Sequence, residues 1–241
     1  MLFNWLAELK QIGRIIGTKK RRNRRQRLQP TKTPTQAELL EDRVLLTVTA
    51  VVDSNNVLTV ELDAANDQAF ITSNPGNQFR VGTTAGANDI LADTAGIVSI
   101  VVNDTGSAAG QLVDFLGSDF TLTAFAGIGV DVNAIETINF DAGVSSMGSV
   151  TADGTTIGVN DVITATGTAM IELNAAQNIA LSSAGSLTTI DGALTLSANA
   201  TGTATGDTVG IALNGATIRS TGSGTISLTG QGSGQAQTTG R

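Results

Sequence analysis

Gly192-Ala193-Leu194-Thr195-Leu196 returns further along the chain as Gly224-Thr225-Ile226-Ser227-Leu228, and the same offset lays Ile179-Ala180-Leu181 on Ile211-Ala212-Leu213. In each copy two branched apolar residues flank a small or polar one, the alternation of a strand with one buried face. A further triplet of this kind stands at Ile171-Glu172-Leu173, and later ones begin at Ile179, Leu194, Ile211 and Ile226, the last four at nearly even spacing. A unit this short cannot bury its apolar face until a neighbour stacks on it. Short strands, corners of Gly, Asn, Asp and Ser, and stacked Ile, Leu and Ala predict a parallel β-helix over residues 147–241. The alternation also predicts sidedness. Leu196 and Leu228 should hold equivalent core positions, with Thr195 and Ser227 outside.

Working back toward the N-terminus, residues 47–146 carry strand-length alternations without a visible repeat. They include Val57–Leu62, Ala69–Thr72, Ile97–Val102, Phe120–Phe125 and Thr137–Phe140. Turn signals separate them at Ser54-Asn55-Asn56, Asn74-Pro75-Gly76-Asn77, Gly86-Ala87-Asn88-Asp89 and Asn103-Asp104-Thr105-Gly106. Either a β-sandwich or an irregular β-helix satisfies this pattern. Val44–Val52 reads as the first strand.

Composition agrees with stacked β-structure. Hydrophobic residues reach 41%, too many for wholesale disorder, yet there is one Trp, no Tyr and only seven Phe, against 28 Gly. A core this poor in aromatics is expected to be built in thin layers of small and branched side chains. Cys and His are both absent, which excludes disulfides, thiol chemistry, His- or Cys-ligated metal and any Ser-His-Asp or Cys-His arrangement.

Charge divides the chain. Residues 1–43 hold 11 of the 14 Lys+Arg against four acids, whereas residues 44–241 hold three Arg against 17 acids. Met1–Ile16 reads as an amphipathic helix with Leu2, Trp5, Leu6, Leu9, Ile12 and Ile16 on one face. Lys19–Arg27 is a cationic run, and Pro30 and Pro34 stop any helix. Residues 1–46 therefore form a leader, helical and then disordered and basic, preceding an all-β passenger. The apolar run is too short for a membrane span, and an apolar helix face beside a cationic run suits transient contact with an anionic membrane surface. A nucleic-acid arm is an alternative that the charge allows, but the acidic remainder supplies neither a second basic surface nor a stacking platform.

At the junction stands Leu40-Glu41-Asp42-Arg43-Val44-Leu45-Leu46. It resembles the LEPR-x-LL motif found near the N-terminus of large planctomycete surface proteins, after an Arg-rich run, with Asp42 where the family has Pro. The resemblance implies an export or sorting address, with Leu40, Glu41, Arg43, Leu45 and Leu46 as the features read by the export or sorting machinery. Asp207–Leu213 through Thr225–Gly232 is similar to the repeats of filamentous-haemagglutinin-like surface proteins of the same bacteria.

Some β-helices cleave polysaccharides with clustered carboxylates, Ca²⁺ or an Arg base. The candidates here are Asp153, Asp161, Asp191 and Asp207, with Arg80 and Arg219 as cations. Each Asp stands beside Gly or Asn, so turn chemistry accounts for all four. Asn103-Asp104 and Asn160-Asp161 offer corner oxygens to calcium, but the Gly- and Asp-rich nonapeptide of calcium-binding β-rolls is absent. The expectation is a secreted or cell-surface, non-catalytic, adhesin-like protein without cofactor or metal. It would meet surface glycans or proteins through a repetitive face and would not bind nucleic acid. A β-helix polysaccharide lyase or hydrolase, and a cytoplasmic protein with a basic nucleic-acid-binding arm, are the alternatives.

Overall fold

The computed structural model describes residues 48–74, 78–106, 109–117, 127–146, 148–206 and 208–233. The expected leader, the residues Leu40, Glu41, Arg43, Leu45 and Leu46 of the expected sorting motif, the expected strand at Phe120–Phe125, and Asp207 lie outside them. The described residues contain no helix and are joined by two sheets of thirteen and four strands, mostly parallel.

The first column of parallel strands runs through β2 (Val57–Leu62), β6 (Ser99–Asp104), the N-terminal part of β8 (Gly129–Phe140), and that of β10 (Val150–Val159). It continues through the start of β12 (Ile171–Leu181), then β14 (Leu194–Ala198) and β17 (Ile226–Gly230). A second column joins β3 (Gln68–Asn74), β7 (Leu112–Gly117), the C-terminal parts of β8, β10 and β12, and β15 (Ile211–Leu213). The smaller sheet stacks β9 (Val144–Ser146), β11 (Val162–Ala165), β13 (Ser186–Thr189) and β16 (Thr217–Ser220), again in parallel. The chain thus returns in the same direction beside its previous pass. Val57 pairs with Ser99, Ser99 with Gly129, Val130 with Val150, Val150 with Ile171, Ile171 with Leu194 and Leu194 with Ile226. The passes are unequal in length: the longest lies between Val57 and Ser99, the shortest between Val130 and Val150.

The offset seen in the sequence is a pairing register. Leu194-Thr195-Leu196 lies beside Ile226-Ser227-Leu228, and Ile179-Ala180-Leu181 beside Ile211-Ala212-Leu213. The shorter steps between successive triplets, from Ile179 to Leu194 and on to Ile211 and Ile226, are moves from one column to the other. Parallel pairing also runs unbroken from β2 to β10, across the expected division at 146/147.

Side chains alternate as a pleated strand requires. Leu58, Ile100, Val130, Val150, Ile171 and Leu194 form one fully buried row, and Val60, Val102, Val132, Ala152, Leu173 and Leu196 the next. In the second column Ile71, Phe115, Phe140, Val159 and Leu181 continue this core, with the Phe115 and Phe140 rings stacked at 5.0 Å between centroids. The sidedness expectation needs two corrections. Leu228 is 47% exposed, because no described strand stacks beyond β17. Thr195 is half-buried, since its flanking rows on β12 and β17 shield it.

Three antiparallel strands cover the N-terminal edge. β1 (Thr49–Val52) pairs with β2, β4 (Gln78–Gly82) with β3, and β5 (Leu91–Ala95) with β4. The Ser54-Asn55-Asn56 turn forms as predicted. Asp53 Oδ1 accepts the amides of Asn55 and Val57, and Asn56 takes the left-handed conformation at φ 61°.

Candidate binding groove

The corner between the first and second columns is built from residues that tolerate unusual backbone. Asn66, Gly110, Ala134 and Asn199 all stand there with positive φ, at 63°, 94°, 61° and 47°. Asn and Gly adopt this conformation readily, but alanine is strained by it. In the next two passes the corner is a register shift. One lies at Gly154, where a Cβ would sit 2.5 Å from the Ile135 carbonyl oxygen, and the other lies between Ala175 and Asn178. The backbone approaches too closely there for any other residue at position 154.

These stacked corners leave a cleft of about 650 Å³ that crosses four successive passes, from Ala134 to Thr203. Asp153, Thr155, Asn174, Ser197, Asn199, Thr201 and Thr203 are its polar lining residues, and Gly154 and Ala175 lie between them. Register makes the row: Asp153 pairs with Asn174, and Asn174 with Ser197. The longest excursion between a first-column strand and its second-column partner among the described residues of 129–233 follows β14, and Asn199, Ala200, Thr201 and Thr203 at its start wall one end of the cleft.

Asn199, 2% exposed, fastens that wall. Its amide N–H donates to Ala175 O at 2.9 Å, its Nδ2 donates to Gln231 O at 2.9 Å, and its Oδ1 accepts the Ala204 amide at 3.0 Å. Gln231 Nε2 donates in return to Ala200 O at 2.8 Å. Thr201 and Thr203 share a hydroxyl hydrogen bond of 2.8 Å at the rim.

The outer surface of the first column is acidic. Glu61, Asp131, Asp153 and Glu172 lie on its strands, which carry no Lys or Arg. Thr151 Oγ1 donates to Asp131 Oδ1 at 2.5 Å, and Asn174 Nδ2 to Glu172 Oε1 at 3.1 Å. A smaller depression of about 430 Å³, with Ser99, Asp131, Ser149 and Thr151 in its lining, lies on the same column.

The residues singled out as lyase-like do not converge. Asp161 caps its own corner, with Oδ1 accepting the Val162 amide at 2.7 Å. Asp191 accepts both the amide and the hydroxyl of Ser223 at 2.9 Å, and these bonds hold its carboxyl below the usual range. Asp153 departs from the turn reading: it is an exposed strand residue of β10 that enters the cleft. Arg80 is committed to Gly86 O at 3.0 Å, Asn74 Oδ1 at 2.7 Å and Asp93 at 3.5 Å, and Arg219 to Thr188 Oγ1 at 3.2 Å. At the two corners considered for calcium, oxygens already serve as acceptors. Asn103 Oδ1 takes Asn133 Nδ2 at 3.1 Å, Asp104 Oδ1 takes the Gly106 amide at 2.8 Å, and Asp161 Oδ1 takes the Val162 amide at 2.7 Å. Among the described residues no three acidic side chains gather closely enough to hold a metal ion.

One carboxyl was missed altogether. Asp114 on β7 is 8% exposed, its Oδ1 has no hydrogen-bond partner, and burial together with the nearby Asp141 charge raises its pKa to about 6. It interrupts the apolar run Leu112-Val113-Asp114-Phe115, and only the alternation of that strand could have marked it as outward-pointing. No family model, curated protein or solved structure matches this chain.

Proposed function

We propose that residues 48–233 form a parallel β-helix and that the protein is a secreted or cell-surface, non-catalytic, adhesin-like protein. The observation that carries this reading is the long cleft crossing four parallel passes, lined by hydroxyls, two side-chain amides and a lone carboxylate. Such a surface suits multipoint recognition of an extended ligand better than chemistry, which needs an acid and a base placed together. The three strand columns, repeating in register with variable loops between them, support the β-helix assignment. The leader supplies the address in this proposal. Its amphipathic segment touches the membrane surface, and Leu40, Glu41, Arg43, Leu45 and Leu46 are read by the export machinery.

Localisation in a bacterium carrying LEPR-x-LL surface proteins tests the proposal. The expected result is protein outside the cytoplasm, accessible to added protease, with Glu41→Ala/Arg43→Ala reducing export. Retention of the parent chain in the cytoplasm sinks the proposal.

A further inference from the structure

We infer that the cleft takes an amine-bearing glycan, with Asp153 as its anionic contact; this rests on the reading of the outer face as a binding surface. Three observations narrow the ligand to that class.

The first is the shape and pairing of the site. Strands β8, β10, β12 and β14 are paired on both sides, so no free strand edge lies within the cleft for a peptide main chain to extend. The cleft runs across them instead, over a span of about 14 Å at the usual spacing of strands. A chain rich in hydroxyls can exchange hydrogen bonds with Thr155, Asn174, Ser197, Thr201 and Thr203 along that path.

The second is charge. No Lys or Arg stands on any first-column strand, and the only cations among the described residues, Arg80 and Arg219, are engaged elsewhere. A polyuronate would bring carboxylates up to Asp153, Glu172 and Asp131 with nothing to neutralise them, so an anionic polymer is disfavoured.

The third is the absence of a stacking surface. Phe79, Phe115 and Phe140 are wholly buried, and no aromatic side chain lines the cleft for the apolar face of a neutral sugar. Asp153 remains as the one strong polar group, and its natural complement is an ammonium.

Calorimetric titration of the full chain tests the inference, using a glucosamine hexamer, an N-acetylglucosamine hexamer and a galacturonate oligomer at low and high salt. The glucosamine hexamer should bind most tightly and weaken as salt rises. Asp153→Asn should reduce its affinity about two- to fivefold, the range of an exposed ion pair. Glu61→Gln, which removes the same charge from β2 outside the cleft, should leave it within error. Equal loss in both variants would reveal diffuse attraction of a polycation and overturn the assignment, as would absence of glucosamine-hexamer binding or tighter binding of the galacturonate oligomer. Equal or better binding of the acetylated hexamer, weakened by Thr203→Arg in the cleft, would overturn the amine preference while leaving the surface-binding reading intact.

Discussion

The two ends of the strand array carry the same side chains in different surroundings. At the N-terminal end Leu58, Val60, Leu62, Ala69 and Ile71 are fully buried, because β1 and β4 pair antiparallel across the edge and bring Phe79 and Val81 over it. At the C-terminal end Leu213, Ile226 and Leu228 occupy the equivalent rows and are 46%, 45% and 47% exposed. Alternation along a strand settles which way a residue points, whereas burial needs a neighbour on both sides. An apolar triplet therefore stabilises little alone and contributes fully only inside the stack.

The sharpest way to break this comparison is to truncate the same residue at both positions. Leu196→Ala, inside the stack, should cost about 2–5 kcal/mol, as cavities in packed cores do. Leu228→Ala, its partner in register, should cost about 1 kcal/mol or less, because half of that side chain is already in water. Denaturant melts of both variants decide the matter, and equal losses would mean that the end is covered after all.

Next in size is Asp114, which shows that the covered half is not uniformly favourable. Its carboxyl has a pKa of about 6 in the folded chain against an ordinary 3.8. Between those values the folded protein holds a proton that the unfolded chain has released, so stability falls as pH rises through the window and stays lower above it. Asp114→Asn should accordingly stabilise by about 1–3 kcal/mol at pH 7.5 and have little effect at pH 3.5. A gain that does not vary with pH would remove the titration argument.

A smaller effect lies at the corner. Ala134 has φ 61°, so Ala134→Gly should relieve strain and stabilise by about 0.5–1 kcal/mol, after the greater entropy of glycine in the unfolded chain is counted. Destabilisation there would mean that the alanine methyl packs better than its backbone suffers. The smallest expected change is Thr195→Lys, next to Leu196 in sequence but on the outer face beside Glu172. It should shift stability by less than about 0.5 kcal/mol, and a loss comparable to that of Leu196→Ala would show the register to be inverted.

Much of the C-terminal half was legible beforehand. The offset that lays Leu194 on Ile226 and Ile179 on Ile211 is the pairing register of β14 with β17 and of β12 with β15, because side chains in stacked strands must repeat where they meet. The shorter passes that join β8, β10, β12 and β14 escaped notice. Val, Ala, Ile and Leu interchange freely in those rows, and a core that accepts any of them leaves no repeat of identical letters. The first pass was harder still, since the β3–β4–β5 excursion separates β2 from its parallel partner β6.

The groove was the least legible feature. Asp153 looked like one more turn aspartate, and Asn174, Ser197, Thr201 and Thr203 are ordinary residues of a Thr- and Ser-rich chain. What gathers them is the stacking of corners from four passes and the wall held by Asn199, none of which is local in sequence. Alternation and composition are properties of single strands, so β-structure with mostly branched aliphatic side chains inside was readable from residues 47–241 one strand at a time. That those strands lie parallel in columns, which end is covered, and which polar residues share a cleft emerge only once the passes are stacked. Each of these depends on what stands one pass away, as Val150 stands beside Val130 and Ser99 beside Val57, and no single strand carries that information.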